Sequence, residues 1–272
     1  MRSWALLAVL LVGGCTAPPK ANNAARQEAA IEANRKGENY VRHGELENAA
    51  RSYREALRLS QSLEDPEGIA ANAINLSIVR QRQGRFADAR ASLGAVFERK
   101  DLKFSAGRMA EASLRHAVLD LDERRFTSAQ EWLTRSDQYC AERCALVAAI
   151  HNVRAQLALQ AGRVDQAAAA ARSAHDASRA AGDRPELANA LRLLGISALN
   201  RGDAAAARVH PEHALALDLL SLGRAAALGG DGDAARAYYA RALAVSEADR
   251  DSIGAAEARA MLQSGERGAT GK

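Results

Sequence analysis

The chain has 272 residues, a formal net charge of +4 and only 4% aromatic residues. Because the charge is mild and spread along the chain, and few rings are available to stack on bases, nucleic-acid binding is not expected. Alanine supplies much of the apolar content and only five prolines occur. This composition favours closely packed helices over a sheet protein.

Residues 1–14 are predicted to form a signal peptide. Arg2 precedes an apolar run from Trp4 to Val12, which is shorter than the about 20 residues that span a bilayer. The run ends at Gly14-Cys15 and resembles the bacterial lipobox. That resemblance implies a lipoprotein with palmitate-type acyl chains on Cys15, followed by a flexible tether over 15–25. The alternative is an ordinary signal peptide with an incidental cysteine.

Small residues recur through the rest of the chain with a period near 40. Intervals of 40, 40, 38 and 40 residues separate Ala49, Ala89, Ala129, Ala167 and Ala207. Twelve residues before each of these, and before Ala235, stands another small residue: Gly37, Ser77, Ala117, Ala155, Gly195 and Gly223. Between the two positions lies a turn residue, which is Gly44, Gly84, Arg124, Gly162, Gly202 or Gly230. The pattern predicts stacked helix–turn–helix repeats.

This unit resembles the tetratricopeptide repeat, and its long period is similar to the branch that includes kinesin light chains. The resemblance implies an all-α, right-handed α-solenoid of about six repeats over 26–247. A capping helix is expected over 248–264 and a disordered tail over 265–272. Asp65-Pro66 and Asp183-Arg184-Pro185 predict helix starts.

The fifth unit departs from the period, because only 28 residues separate Ala207 from Ala235. Pro211 falls where the second helix of this unit should continue, and proline is unfavourable inside a helix. We expect that helix to stop near Val209 and the stack to kink. A simple deletion without functional meaning is the alternative.

The chain carries no recognisable catalytic motif, and we expect a non-enzyme without cofactors. His210 and His213 are the only closely spaced histidines and have no further ligands beside them, so no metal site is predicted. Cys140 and Cys144 could form a disulfide in an oxidising compartment. Free thiols, or redox or metal chemistry, remain alternatives.

The tetratricopeptide resemblance also implies that the first helix of each unit lines a concave groove that binds a partner. Asparagine amides there would bind a peptide backbone, and arginines would bind carboxylates. A clamp for a terminal carboxylate is not favoured, because Glu38 and Glu111 replace expected Asn and Lys residues. These positions could also be merely solvated. The candidate groove residues are Asn34, Asn75, Arg115, Asn152, Gln156, Asn189, Arg192 and Arg224.

Together these features predict a membrane-anchored, non-catalytic scaffold or adaptor for assembly of a bacterial envelope complex. Its partner would be a protein or peptide, with neither nucleic acid nor a small-molecule substrate. Thr16 after Cys15 implies the outer membrane, with the repeats facing the periplasm. The alternative function is a regulator that recruits a periplasmic hydrolase.

Overall fold

The computed structural model describes residues 21–140, 144–202, 230–248 and 252–269, and a helical set of residues at 215–216, 219–220, 222–224 and 226–227. These described parts contain helices and no strand, which confirms the all-α prediction. The longer helices are Ala21–Arg42 (α1), Leu46–Ser62 (α2), Pro66–Arg82 (α3), Phe86–Phe97 (α4), Ala106–Asp122 (α5), Phe126–Tyr139 (α6), Val147–Gln160 (α7), Val164–Ala181 (α8), Arg184–Asn200 (α9), Gly232–Ala248 (α10) and Ser252–Ala269 (α11).

Consecutive helices pack in pairs, α1 with α2, α3 with α4, α5 with α6, and α7 with α8. Each pair is joined by a tight turn in which one residue has a positive φ, such as 73° at Gly84 and 73° at Gly162. Arg124 takes the same place with a φ of 59°, although this conformation costs a residue with a Cβ about 1–2 kcal/mol. The repeat therefore imposes the left-handed turn even where glycine is missing.

Small residues lie where the two helices of a unit touch. Ala49, Ala89, Ala129 and Ala167 are fully buried. Gly37 faces the ring of Tyr53 so closely that an added Cβ would lie 2.7 Å from its Cε1 atom. The period of small residues thus corresponds to close contact between helices, as the sequence predicts.

The helices form an inner and an outer layer. Successive first helices contact one another, from α1 to α3, α5, α7 and α9. Within the part of the chain that the structure describes, the second helices α2, α4, α6 and α8 make no such contacts. A stack whose first helices approach more closely than its second helices curves with the first helices inside, so the predicted groove positions belong to the inner layer.

Both helix starts predicted from aspartate and proline are confirmed. Asp65 is the N-cap of α3, and Pro66 is its first residue. At α9, the Asp183 side chain accepts a hydrogen bond from the backbone N–H of Glu186 at 3.2 Å. This bond satisfies one of the donors that a helix start leaves unpaired.

The ends of the stack differ from the expected boundaries. Helix α1 begins at Ala21, inside the stretch expected to be a tether, and α11 continues to Ala269, through most of the expected tail. Alanine-rich sequence with good helix propensity extends α1, whereas α11 continues through Gly265 and Gly268 although glycine is unfavourable inside a helix. The predictions for the leader, Cys15, Ala207, Pro211 and the histidine pair lie outside the described residues.

Candidate functional site

The predicted groove residues separate into two groups of four. One group bonds to a neighbouring unit or to α11, and we call these the bridging residues: Asn34, Arg115, Asn152 and Arg224. Within the described chain, the others form no side-chain hydrogen bond or ion pair outside their own helix, and we call these the open residues: Asn75, Gln156, Asn189 and Arg192.

Two bridging residues join the first helices at the amino-terminal end of the stack. Asn34 Nδ2 donates to Asn72 Oδ1 at 2.7 Å, which links α1 to α3. Arg115 Nε donates to Ser77 Oγ at 3.3 Å, and its Nη2 donates to Gln81, which links α5 to α3. Burial lowers the pKa of Arg115 to about 10, so the guanidinium remains charged at neutral pH.

Asn152 differs from the expected open groove position, because it is only 1% exposed. Its Nδ2 donates to the backbone oxygen of Glu186 at 2.9 Å and to Glu186 Oε2 at 2.7 Å. Its Oδ1 is buried without a hydrogen-bond partner. The side chain therefore joins α7 to α9 and is not available at the surface of the inner layer.

Arg224, the last bridging residue, pairs with a carboxylate of the chain's own carboxyl-terminal helix, α11. Arg224 Nη2 donates to Glu257 Oε1 of α11 at 2.5 Å, and Arg184 of α9 donates to the same oxygen. One carboxylate thus lies between guanidinium groups from two units. Any partner carboxylate would have to compete with Glu257 for Arg224.

The open residues leave polar groups on the inner layer. Asn75, Gln156 and Asn189 are partly exposed, and Arg192 is exposed. Asn189 Oδ1 accepts from Arg192 Nη2 at 2.7 Å on the same helix, an exposed contact that a ligand can displace at small cost. Amides offer both a donor and an acceptor, which suits an extended or helical peptide.

Side-chain bonds join neighbouring first helices along much of the inner layer but not between α5 and α7. Glu67 of α3 pairs with Arg108 of α5, and Asn152 pairs with Glu186 across α7 and α9. No side-chain hydrogen bond connects α5 with α7 among the residues of those two helices. The described contacts at this junction of two units are therefore apolar packing and the ion pair of Arg154 on α7 with Asp137 on α6.

A cavity of about 590 Å³ opens at this junction. One wall is ionic: Arg108 Nε donates to Glu67 Oε2 at 3.0 Å, and Arg108 Nη1 donates to Glu111 Oε2 at 2.7 Å. The other wall includes Leu146 and Tyr139, and Tyr139 is 38% exposed. A cavity with one charged and one apolar wall suits an amphipathic side chain.

A disulfide forms part of the apolar wall. The structure joins Cys140 to Cys144 with an S–S distance of 2.02 Å and a Cα–Cα distance of 5.1 Å. Cys140 ends α6, and Cys144 lines the cavity just before α7. The crosslink thus fixes the apolar wall to both helices.

Sequence reasoning did not identify this cavity. Glu67 and Arg108 were not singled out, although they stand 41 residues apart, close to the repeat period. Alignment of the units would have brought the two side chains together. Tyr139 gave no comparable signal, because its exposure depends on how the linker after α6 folds.

The described residues contain neither a metal-binding cluster nor a membrane-spanning helix. No group of three or more His, Cys, Asp or Glu side chains there could hold a metal ion. Likewise, none of the helices described is long and apolar enough to cross a membrane.

Comparisons with solved structures identify the fold. BtubC (BKLC) from P. vanneervenii is similar with a TM-score of 0.56 and 19% identity, over 73% of this chain and 90% of that chain. PilF of Pseudomonas aeruginosa gives 0.52 and 18%, over 87% of this chain and 99% of that one. A kinesin light chain-like protein of Podospora anserina with TPR-like repeats gives 0.51 and 16%, over 72% and 94%.

No family model matches the sequence, and no curated protein matches it. The structural similarity covers nearly the whole of each related chain and about three quarters or more of this one. The chain therefore has the α-solenoid fold of tetratricopeptide-repeat proteins.

Proposed function

We propose that this chain is a non-catalytic scaffold that binds a protein or peptide partner on the inner layer of its solenoid. The observation that carries this proposal is the set of open residues on three first helices, α3, α7 and α9. A preformed, curved surface loses little conformational freedom when it binds, so more of the contact energy contributes to affinity. The partner would be an extended or helical segment whose backbone bonds to the amides.

We further propose that a lipid on Cys15 anchors the scaffold to the bacterial outer membrane, facing the periplasm, for assembly of an envelope complex. The support is the short apolar run that ends at Gly14-Cys15. Two or more acyl chains on one residue give stable membrane attachment, whereas a single chain gives only marginal binding. The anchor would hold the solenoid close to partners in the same membrane.

Replacing the four open residues by alanine should reduce partner capture about tenfold, because removal of several inner-layer contacts weakens binding by more than 1.4 kcal/mol. The variant is Asn75→Ala, Gln156→Ala, Asn189→Ala and Arg192→Ala. The measurement is quantitative mass spectrometry of proteins crosslinked in cells and captured from detergent-solubilised envelopes. Circular dichroism checks that helicity is unchanged.

A matched control removes the same kinds of side chain from the outer layer. It carries Gln61→Ala, Gln130→Ala, Gln166→Ala and Arg172→Ala, all at exposed positions on second helices. We expect this variant to capture the partner as the natural chain does. Equal capture by all three proteins would exclude the inner layer as the binding surface, and capture of no partner would contradict the scaffold function.

Cys15→Ser should abolish incorporation of labelled palmitate. The chain should then either leave the membrane fraction or keep its uncleaved leader. The serine hydroxyl cannot form the thioether that carries the diacylglycerol. Cys140→Ser serves as the control, because it removes a cysteine outside the leader. Labelled palmitate in the Cys15→Ser chain would overturn the proposed anchor.

A further inference from the structure

The cavity between α5 and α7 lies at the edge of the stack where first helices begin. Glu67 stands in the first turn of α3, Arg108 in that of α5, and Leu146 directly before α7. Tyr139 ends α6 and reaches the same edge. The cavity thus adjoins the inner layer at the one junction, among α1, α3, α5, α7 and α9, at which side-chain bonds between first helices are missing.

The ionic wall carries an excess of negative charge. Glu67 and Glu111 together bring two carboxylates, and Arg108 brings one guanidinium, so the trio has a net charge of −1. Glu67 is well satisfied: a hydrogen bond from Ser105 and the pairing with Arg108 lower its pKa. Glu111 has one partner in Arg108, and its side chain is 36% exposed. Glu111 is therefore the carboxylate with fewer bonding partners, although the Glu67 side chain, 55% exposed, is the more accessible of the two.

The opposite wall is apolar and rigid. It combines the ring of Tyr139, the side chain of Leu146 and the disulfide that ends at Cys144. An aliphatic stem can pack on this wall, and a guanidinium can stack on a tyrosine ring. The volume of about 590 Å³ lies within the roughly 300–1,000 Å³ of ligand pockets, enough for a side chain with its adjoining backbone.

We propose that this cavity binds an arginine side chain of the partner, with its stem against Leu146 and its guanidinium stacked on Tyr139 and paired with Glu111. Arginine fits better than lysine, because its planar group both stacks on a ring and pairs with a carboxylate. Binding brings the charge of the ionic wall to zero. This inference rests on the proposed function of partner binding and names the chemistry of one contact.

The test is a ligand-observed NMR titration of the full chain with N-acetyl-arginine amide. N-acetyl-citrulline amide is the matched neutral probe, since it keeps the shape and loses the charge. We expect the arginine probe to bind and the citrulline probe to bind about five- to tenfold more weakly, which is typical of one charge-assisted contact. Glu111→Gln should reduce arginine binding by a similar factor, and Tyr139→Leu should also reduce it.

The control is Glu131→Gln, which removes a negative charge from an exposed position on α6 that does not line the cavity. It should leave probe binding unchanged, and Glu111→Gln should keep its helicity because Arg108 retains Glu67. Equal binding of both probes, or arginine binding that survives Glu111→Gln and Tyr139→Leu, overturns the inference. The inference is also overturned if a partner is captured equally well by the natural chain and by the two cavity variants; that result leaves the scaffold function intact. Capture of no partner at all contradicts the scaffold function itself.

Discussion

Replacing Gly37 by alanine is expected to lower the free energy of unfolding by about 2 kcal/mol. A Cβ at this position would lie 2.7 Å from Cε1 and 2.8 Å from Cδ1 of Tyr53. Tyr53 is only 4% exposed, so its ring can move aside only by displacing buried neighbours. Overpacking of this severity costs about 3 kcal/mol, and the better helix propensity of alanine returns about 1 kcal/mol. Urea unfolding followed by circular dichroism measures the difference.

Other units show which second substitution should relieve the clash caused by Gly37→Ala. Ser77 and Ala117 occupy the position of Gly37 in units two and three, and there Leu93 and Leu133 stand in place of Tyr53. Both leucines are fully buried, so a Cβ on one helix fits a leucine on the other. Tyr53→Leu should therefore cost less stability in the Gly37→Ala chain than in the natural chain. Strictly additive losses would contradict the steric explanation.

The repeat architecture could be predicted because its requirements are local. A fully buried alanine, a small residue twelve positions earlier and a left-handed turn between them recur in the first four units, and the sequence marks these places with small residues and, except at Arg124, glycine. Gly37 and Tyr53 belong to the same pattern. Arg124 shows that the pattern tolerates an exception, since the packing of α5 on α6 holds this residue in the glycine conformation.

The exposure and hydrogen-bond partners of polar side chains on the inner layer could not be predicted in the same way. Asn75 and Asn152 are the same residue type on first helices, yet Asn75 is partly exposed and Asn152 is buried against Glu186. The difference depends on how close the next unit lies and on which group it presents. Those distances follow from the linker between units, where the sequence departs most from its own period.

The aromatic cluster between units two and three was likewise not evident from sequence. His116 stacks on Trp132 with ring centroids 4.1 Å apart and an interplanar angle of 8°, and Phe97 lies 5.3 Å from the His116 ring. The Nδ1 atom of His116 is buried and has no hydrogen-bond partner. A neutral imidazole fits this environment, and an imidazolium does not, because burial removes the water that would solvate its charge.

Lowering the pH from 7 to 4 should therefore destabilise the protein through His116 by about 2 kcal/mol, allowing for its partial exposure. Burial lowers the pKa of His116 to about 4 in the folded chain, whereas the unfolded chain has the ordinary value near 6.5. Between these values the unfolded state binds more protons, so this contribution is complete above pH 6.5 and is lost as the pH falls towards 4.

The measurement is urea unfolding of the natural chain and of His116→Phe at several pH values between 7 and 4. Phenylalanine keeps an aromatic ring against Trp132 and cannot take up a proton, so on acidification the natural chain should lose stability relative to His116→Phe. His151, whose pKa is also lowered by burial, weakens both proteins alike and cancels in this difference. His43→Gln, at an exposed position, controls for loss of a histidine as such. A difference that stays constant from pH 7 to 4 would show that His116 takes up its proton as readily in the folded chain as in the unfolded one.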